Sequence, residues 1–322
     1  MTNDTRDAAP AGGAGSAAPA DRSRTAVFGL GSMGEGIARS LLRAGHETSG
    51  FDVVAARVEA FRAGGGAPGE PAEVAGSLDA VVVVVLNAAQ TESVLFGEDG
   101  LVSRMHSGAV VLACATVPPD FARAMAARCM EHGVHYLDAP ISGGAAKAAS
   151  GELSVMASGT PEAFAAARPV LEAIATTVFE LGDAAGAGSA MKAVNQLLAG
   201  VHIAATAEAL TFGMTQGVEP ARFVEVISRC AGTSWMLENR APHIVDGDYT
   251  PRSSVDIWPK DLGIVLDIAR GAGFGAPLTA AALQQFLAAS GSGLGGEDDA
   301  AVAKVYARNA GLTLPEPGDG KG

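Results

Sequence analysis

The amino-acid sequence predicts an α/β protein, with a doubly wound parallel sheet in its N-terminal part and an all-α domain after it. Short apolar runs alternate with helical segments up to about residue 185, the pattern of strand–helix–strand units with right-handed crossovers. Strand signals then disappear, and residues 190–216 form one long helical pattern. This change of character separates a sheet-containing part of the chain from a helical part.

The predicted strands are short and strongly apolar. Residues 79–86 and 109–114 are nearly continuous apolar runs rich in valine, as expected for parallel strands that are buried on both faces. The other predicted strands are residues 25–30, 48–52, 135–137, 153–157 and 178–181.

Helices are predicted from the spacing of apolar residues and from signals at helix ends. Thr160 and Pro161 are typical of a helix start, with the hydroxyl as N-cap and the proline in the first turn. Pro169 is expected to divide that helix in two, because proline removes a backbone donor and clashes with the preceding turn. The remaining predicted helices are residues 35–44, 120–132, 190–216, 222–230, 262–270, 279–290 and 300–308.

Charge and composition exclude several classes of protein. The formal net charge is −13, which argues against nucleic-acid binding because phosphates need clustered cations. The longest apolar run, residues 80–86, is too short to cross a bilayer. The three cysteines are widely spaced and the six histidines show no ligand spacing. We therefore expect a cytoplasmic protein with no membrane contact, no disulfide and no metal.

A glycine pattern follows the first predicted strand and opens the first helix. In this context glycines allow a tight turn, close approach of the backbone to a pyrophosphate, and close packing of helix and strand. The N-terminus of the helix supplies N–H groups for the anion. The alternative is an ordinary glycine-rich turn. The expected cofactor-binding residues here are Gly29, Leu30, Gly31, Ser32, Met33 and Gly34.

An acid ends the second predicted strand. Asp52 lies 18 residues after Gly34, close to the spacing at which a carboxylate accepts hydrogen bonds from the adenosine ribose in Rossmann-type domains. A carboxylate there would repel a 2′-phosphate, so the sequence favours NAD over NADP. Asn87 and Thr116 follow the third and fourth strands, where ligands sit in open α/β sheets. The alternative is that Asn87 and Thr116 are isolated polar loop residues without a function.

These assignments divide the chain into four parts. The first residues are rich in alanine, glycine and proline and lack the apolar run of a signal peptide. We predict a disordered leader over residues 1–22, an NAD-binding Rossmann domain over 23–185, a helical substrate and oligomerisation domain over 186–312, and a tail over 313–322.

Two further segments carry chemistry on the substrate side. Ser142, Gly143 and Gly144 form a flexible turn whose amides can face an anion, although an ordinary connector would look the same. Lys192 and Asn195 are one helical turn apart on one face. They would suit proton transfer and hydroxyl recognition, whereas the alternative is a lysine that reaches to solvent.

The sequence resembles the β-hydroxyacid dehydrogenase family, also called the 3-hydroxyisobutyrate dehydrogenase family, from residue 25 to about 308. The resemblance implies NAD as cofactor and Lys192 as catalytic acid and base. It also implies that the 142–144 turn binds the substrate carboxylate, that Asn195 assists, and that Lys260 lies near the cofactor and substrate. The motifs that carry it are GLGSMG (29–34), DAPISGG (138–144), GAGSAMKAVNQ (186–196) and KDLG (260–263).

Further segments resemble members of the family that oxidise a four-carbon sugar acid at C2 to the 2-oxo acid. In the implied mechanism, neutral Lys192 accepts the hydroxyl proton, which requires a pKa lowered by burial and by a cation such as Lys260. Dehydrogenation of 3-hydroxyisobutyrate and reduction of tartronate semialdehyde remain alternatives. The segments are NAAQ (87–90), QLLAGVHIAA (196–205), SWMLENR (234–240), VDGDYTP (245–251) and GEDDAAV (296–302).

Other classes of function predict fewer of these residues. A regulatory nucleotide-binding protein would keep the glycines and Asp52 but would not need Lys192 or the 142–144 turn. A scaffold that binds a protein partner would need none of them. The expected partners are a small anionic hydroxy acid and further copies of the chain, as a dimer or tetramer through the helical domain.

Overall fold

Five parallel strands form the central sheet in the computed structural model, which describes residues 22–318. The strand order is β2-β1-β3-β4-β5, so the chain starts in the middle and winds outward in both directions, as predicted. The leader lies outside the described residues except for Arg22, as do residues 319–322 of the tail. The strands are β1 (Arg24–Phe28), β2 (Glu47–Phe51), β3 (Ala80–Val83), β4 (Val110–Ala113) and β5 (His135–Asp138).

Helices cover both faces of this sheet, and each face has its own buried cluster of side chains. Val82 and Leu112 point into one cluster, whereas their neighbours Val81 and Val111 point into the other. This alternation explains why the central strands are apolar at every position. The helices are α1 (Ser32–Arg43), α2 (Ala55–Ala63), α3 (Pro71–Val74), α4 (Ala88–Phe96) and α5 (Pro119–Glu131).

A second, smaller sheet follows β5. The segments predicted as strands at 153–157 and 178–181 are strands, but they pair in this separate sheet rather than extending the first. Its first pair is antiparallel and its second is parallel. Its elements are β6 (Ile141–Ser142), α6 (Gly144–Ser150), β7 (Leu153–Ala157), α7 (Pro161–Ile174) and β8 (Ala175–Glu180).

Helix α7 corrects one prediction. Thr160 caps it by accepting a hydrogen bond from the Ala163 amide at 3.2 Å, as expected. The helix nevertheless continues through Pro169 to Ile174. An interior proline costs about 3 kcal/mol, yet buried side chains on both sides of it, including Ala167 and Val170, pack into the core. The prediction of a break at Pro169 was therefore wrong, because tertiary packing outweighs the local penalty.

The remaining described residues form the helical part, built around one long helix, α8 (Ala187–Thr215). The sequence prediction missed α10, which contains Pro242 and several charged residues. Helix α8 packs against most of the helices that follow it. These are α9 (Pro220–Ile227), α10 (Trp235–Asp246), α11 (Ile257–Gly271), α12 (Pro277–Ala289) and α13 (Ala303–Ala310).

Helix α8 approaches α11 closely at Gly200. A Cβ at this position would lie 2.8 Å from a methyl group of Leu262 and 2.9 Å from the ring of Trp258. In length and composition α8 is the one described helix apolar enough to span a membrane. Its buried residues, such as Ile203 and Leu210, belong to the core of the helical part, so α8 is the central helix of that core.

Candidate active site

Helix α1 begins inside the glycine motif, earlier than the predicted start at residue 35. Its N-cap is Gly31, and no side chain among residues 22–318 caps it. A Cβ on Gly34 would lie 1.7 Å from the carbonyl oxygen of Gly29. Gly29 itself has φ +94° and lies against the Val84 backbone. The chain therefore requires glycine at 29 and 34 for its own packing.

Gly31 is different, because a Cβ there would meet no heavy atom of the described chain within 4 Å. Its φ is −69°, which any residue adopts. The space in front of Gly31 is thus open, next to the uncapped N-terminus of α1, the exposed Ser32 and the half-buried Met33. An open glycine beside free helix amides fits a pyrophosphate group, so these residues fit a dinucleotide cofactor.

Asp52 lies beside this motif, at the end of β2. It accepts hydrogen bonds from the amides of Leu30 at 2.7 Å and Val54 at 2.8 Å. Burial raises its pKa, but these two bonds and the nearby charge of Arg57 outweigh that effect and hold the pKa below its usual value. Asp52 is therefore ionised at neutral pH, and the Leu30 amide is committed to it. Arg57, 3.4 Å away, was not anticipated from the sequence.

Other predicted cofactor residues lie at the neighbouring strand ends. The Asn87 side chain accepts a hydrogen bond from the Gln90 amide at 2.9 Å and so caps α4. Thr116 is half-buried in the loop after β4. Lys260 reaches from α11 and donates to the Leu86 carbonyl at 2.7 Å. Helix α11 thus places a cation beside the loop after β3, at the same sheet edge as Asn87.

Lys192 is buried in α8, with 9% of its surface exposed. Its ammonium group donates to the Ile141 carbonyl at 2.8 Å. Burial lowers its pKa to about 8; the Asp261 carboxylate opposes this effect and the Lys260 charge adds to it. The alternative of a lysine reaching to solvent is therefore wrong. At neutral to mildly alkaline pH, Lys192 has an accessible neutral form, as a proton acceptor requires.

The bond between Lys192 and Ile141 places the lysine next to the 142–144 turn. Gly143 has φ +135° and Gly144 has φ +76°, which favour glycine, and Ser142 is half-buried. Two elements that are far apart in the sequence, the start of α8 and the end of β6, therefore meet at this point.

A chain of polar side chains extends the site from α8 to α11. Asn195 donates to Gln196 at 2.9 Å, and Gln196 donates to Asp261 at 2.5 Å. Asp261, which is 2% exposed, also forms an ion pair with Lys260 at 2.8 Å. Gln196 and Asp261 were not identified from the sequence, although a carboxylate and an amide in otherwise apolar helices are the signal that could have found them.

Asp138 is another residue that sequence reasoning left without a role. It ends β5, is 1% exposed, and accepts hydrogen bonds from Ser158, Gly186 and Ser189. Burial raises its pKa, although these bonds oppose the shift. This carboxylate therefore joins the first sheet to the beginning of α8.

The fold and this site together define an NAD-dependent dehydrogenase with a parallel-sheet part and a helical part. The family described as the NAD binding domain of 6-phosphogluconate dehydrogenase matches residues 24–182. The family described as NAD-binding of NADP-dependent 3-hydroxyisobutyrate dehydrogenase matches residues 186–306. The chain belongs to the 3-hydroxyisobutyrate dehydrogenase family.

Individual relatives are similar over nearly the whole chain. An L-threonate dehydrogenase of Cupriavidus necator is 53% identical over 90% of this chain and 97% of the relative. An L-threonate dehydrogenase of Escherichia coli strain K12 is 46% identical over 90% and 95%. The crystal structure of a 3-hydroxyisobutyrate dehydrogenase from Salmonella typhimurium has a TM-score of 0.83 and 47% identity, covering 88% of this chain and 99% of that one.

Proposed function

We propose that this enzyme oxidises a four-carbon sugar acid, L-threonate, at C2 to the 2-oxo acid, with Lys192 as general acid and base. The observation that carries the proposal is the buried Lys192 ammonium group, 2.8 Å from the Ile141 carbonyl and beside the 142–144 turn. A base with a pKa of about 8 adjoins a turn that can hold a carboxylate. This is the pair of groups that oxidation of a hydroxy acid requires.

Each residue of the site has a separate task in this proposal. The Ser142 hydroxyl and the amides of Gly143 and Gly144 bind the substrate carboxylate. NAD, when bound, supplies the acceptor for the C2 hydride. Neutral Lys192 accepts the C2 hydroxyl proton as the C2–H bond breaks, and returns it in the reverse direction. Asn195, one turn along α8, orients the hydroxyl group.

The cofactor site extends from the α1 motif to α11. The free amides at the start of α1 and the open space at Gly31 would receive the pyrophosphate. The carboxylate of Asp52 would accept hydrogen bonds from the adenosine ribose and would disfavour a 2′-phosphate. Asn87 and Thr116 follow β3 and β4, and Lys260 reaches the loop after β3 from α11; these three residues would contact the nicotinamide half.

The choice of L-threonate rests on relatives and on polarity. The two L-threonate dehydrogenases are 46–53% identical to this chain. A sugar acid carries several hydroxyl groups, each of which needs a polar partner when buried, and Asn195, Gln196 and Lys260 supply such groups. 3-Hydroxyisobutyrate, the substrate in the name of the Salmonella structure, is the second candidate, and tartronate semialdehyde is the third.

A substrate panel tests the proposal. Purified enzyme is mixed with NAD and L-threonate, D-threonate, D-erythronate, L-glycerate or 3-hydroxyisobutyrate, and reduced cofactor is followed by absorbance. We expect the highest kcat/KM with L-threonate. A higher kcat/KM with 3-hydroxyisobutyrate would show that this acid, and not L-threonate, is the substrate, and the enzyme would remain a hydroxyacid dehydrogenase. Absence of turnover with every acid in either direction, despite NAD binding, would contradict the proposed function.

We further propose that two copies of the chain pair through α8. One face of this helix carries exposed apolar residues in a palindromic pattern, with successive spacings of 3, 4, 7, 4 and 3. The larger side chains are 45–65% exposed, and the face extends the length of the helix. Its residues are Met191, Val194, Leu198, Ala205, Ala209 and Phe212.

The pattern matches a twofold axis between residues 201 and 202. Two antiparallel copies of the helix would then place large side chains opposite small ones in the centre of the contact and two large side chains opposite each other at its ends. Ala205 and Ala209 line a cavity of about 350 Å³, which can receive the larger side chains of the second copy. The pairs would be Met191 with Phe212, Val194 with Ala209, and Leu198 with Ala205.

Sedimentation velocity tests this pairing. We expect the native enzyme to have at least twice the chain mass of 32.1 kDa and Leu198→Arg to sediment as a single chain. Leu287→Arg is the matched control, because Leu287 is 44% exposed but lies outside the face. A native protein of single-chain mass, or dissociation by the control alone, would contradict the pairing.

The domain limits and the compartment are also proposals. We infer that the cofactor domain spans residues 23–185 and the helical domain 186–312. We assign the enzyme to the cytoplasm, because Cys114 and Cys129 are buried free thiols in the described structure and a reducing compartment preserves them. Limited proteolysis with mass spectrometry would place the domain limits, and fractionation of the source cells would test the compartment.

A further inference from the structure

Helix α8 begins without a cap of its own. Its N-cap residue is Gly186, which has no side chain to accept the first amides of the helix. The caps come instead from two strands of the preceding domain. The Asp138 carboxylate accepts from the amides of Gly186 at 2.9 Å and Ser189 at 2.8 Å, and Ser158 accepts from the Gly188 amide at 2.9 Å.

The Asp138 carboxylate is fully engaged by donors. Besides the two amides, it accepts hydrogen bonds from the hydroxyl of Ser189 at 2.6 Å and of Ser158 at 3.2 Å. Both serines are at most 1% exposed. Close contact is built into the backbone as well, because a Cβ on Gly188 would lie 2.7 Å from the Asp138 carbonyl oxygen. The start of α8 is therefore held rigidly against the end of β5.

The same two segments meet again one helical turn further on. Three residues after Asp138, the Ile141 carbonyl accepts from Lys192, which lies three residues after Ser189. The segment 138–142 and the first turns of α8 are thus bonded at two successive points. The hydrogen bonds at the first point involve none of the predicted substrate residues, and the second point lies next to them. The position of α8 at the Asp138 carboxylate therefore determines where Lys192 lies relative to Ile141.

We propose that Asp138 is a positioning residue, whose carboxylate sets the register of α8 against β6 and so places Lys192 beside Ser142. Asp138 acts through placement, because the charges that act on Lys192 are those of Asp261 and Lys260. A displacement of about 1 Å between reacting groups can lower a rate by about 10²-fold. The inference rests on the proposed role of Lys192 as proton acceptor.

Asp138→Asn tests the inference. The asparagine has nearly the same shape and can keep its oxygen on the amides of Gly186 and Ser189. Its NH2 group then faces the Ser189 hydroxyl, which now donates to the second carboxylate oxygen, and the negative charge at the start of α8 is lost. We expect kcat to fall by about ten- to a hundredfold, with the Kd for NAD unchanged. We also expect a larger kinetic isotope effect on kcat with C2-deuterated substrate, because misplacement slows the step that breaks the C2–H bond.

Asp298→Asn is the matched control for loss of stability. Asp298 is fully buried in the helical domain and accepts hydrogen bonds from His243 at 2.8 Å and from the amides of Arg252 and Ala300 at 3.0 and 3.1 Å. Its loss should lower Tm to a similar extent while kcat and the isotope effect of the folded enzyme stay at native values.

Ser189→Ala keeps the test decisive if Asp138→Asn does not fold. It removes the hydroxyl that donates to one Asp138 oxygen and keeps the two backbone amides on the other, and we expect an about three- to tenfold lower kcat at unchanged NAD affinity. Native kcat in Ser189→Ala, or equal losses of kcat in Asp138→Asn and Asp298→Asn, would overturn the inference.

Lys192→Ala, assayed in parallel, separates the two proposals. Native turnover in that variant would contradict the role of Lys192 itself. An inactive Lys192→Ala together with native turnover and isotope effect in the Asp138 and Ser189 variants would remove only the positioning role.

Discussion

The starts of α1 and α8 are built from similar residues and used in opposite ways. Each N-cap is a glycine, Gly31 in α1 and Gly186 in α8, and neither helix caps itself with a side chain. At α1 no side chain of residues 22–318 takes the place of the cap, and the space before Gly31 is open. At α8, Asp138 and Ser158 accept the first amides.

The difference shows how a helix N-terminus is assigned either to a ligand or to the fold. Uncapped amides attract an anion, and a dinucleotide provides one. Amides that are already bonded to a protein carboxylate bind nothing further, but they give the helix a fixed origin. An enzyme that binds a cofactor and also positions a catalytic lysine therefore uses one helix start with free amides and one whose amides are bonded to the protein.

The largest effect on turnover should come from substituting Lys192, which the bonded start of α8 holds in position. We expect Lys192→Ala to lower single-turnover NADH formation by at least about a hundredfold, because a general base contributes about 10²–10⁴-fold. Lys192→Arg should not restore the rate, because guanidinium stays protonated. NAD titration should give a native Kd for both variants. Near-native turnover in Lys192→Ala would show that Lys192 is not the proton acceptor, and the anchored start of α8 would then position no catalytic residue.

The pH profile should show the same residue in the native enzyme. The pKa of Lys192 is lowered to about 8 by burial, opposed by Asp261 and assisted by Lys260. Only the neutral amine accepts a proton, so kcat/KM for oxidation should fall about tenfold per pH unit below about pH 8.

Asp261→Asn sharpens the pH prediction, because it removes a carboxylate that raises the Lys192 pKa. The acid limb should then move to lower pH. A limb that stays in place would show that Asp261 does not act on Lys192.

At the open helix start the effect should fall on binding. Gly31→Ala adds a methyl group where the described chain leaves space, so Tm should not change. The methyl group would keep the pyrophosphate away from the amides and raise the Kd for NAD by about tenfold, or ~1.4 kcal/mol. Gly34→Ala is the contrasting variant, since its Cβ would overlap the Gly29 carbonyl and unfold the motif. An unchanged Kd for NAD in Gly31→Ala would show that the pyrophosphate does not bind next to Gly31.

The smallest effect should be on cofactor choice. Asp52→Asn removes the carboxylate that repels a 2′-phosphate and frees Arg57, 3.4 Å away, to contact that phosphate. The ratio of kcat/KM for NAD over NADP should fall several-fold. Adding Arg57→Ala should reverse most of the gain with NADP. If the native enzyme already prefers NADP, the assignment of Asp52 is incorrect.

Sequence reasoning predicted the architecture well because local signals were strong. Valine-rich strands, the glycine motif and the long apolar helix each have a pattern that few other structures share. It failed at Pro169 and did not predict that β7 and β8 belong to a separate sheet, because packing between distant elements decides both outcomes.

The same limit applies to the site. Lys192 and the 142–144 turn could be named from motifs, but their contact through Ile141 depends on tertiary structure. The bond from Gly186 to Asp138 spans 48 positions and the bond from Gln196 to Asp261 spans 65, and residue spacing alone does not predict such pairs.

Gly200 has a consequence for how close the charges of α11 lie to Lys192. It lies about two turns along α8 from Lys192, and it lets α11 approach until Leu262 and Trp258 fill the place of a side chain. Lys260 is carried on the same segment of α11. Any larger residue at 200 would push that segment outward, and Asp261 and Lys260, whose charges shift the pKa of Lys192 in opposite directions, would both move away from it. The pKa of Lys192 therefore depends in part on how closely α8 and α11 approach each other at Gly200.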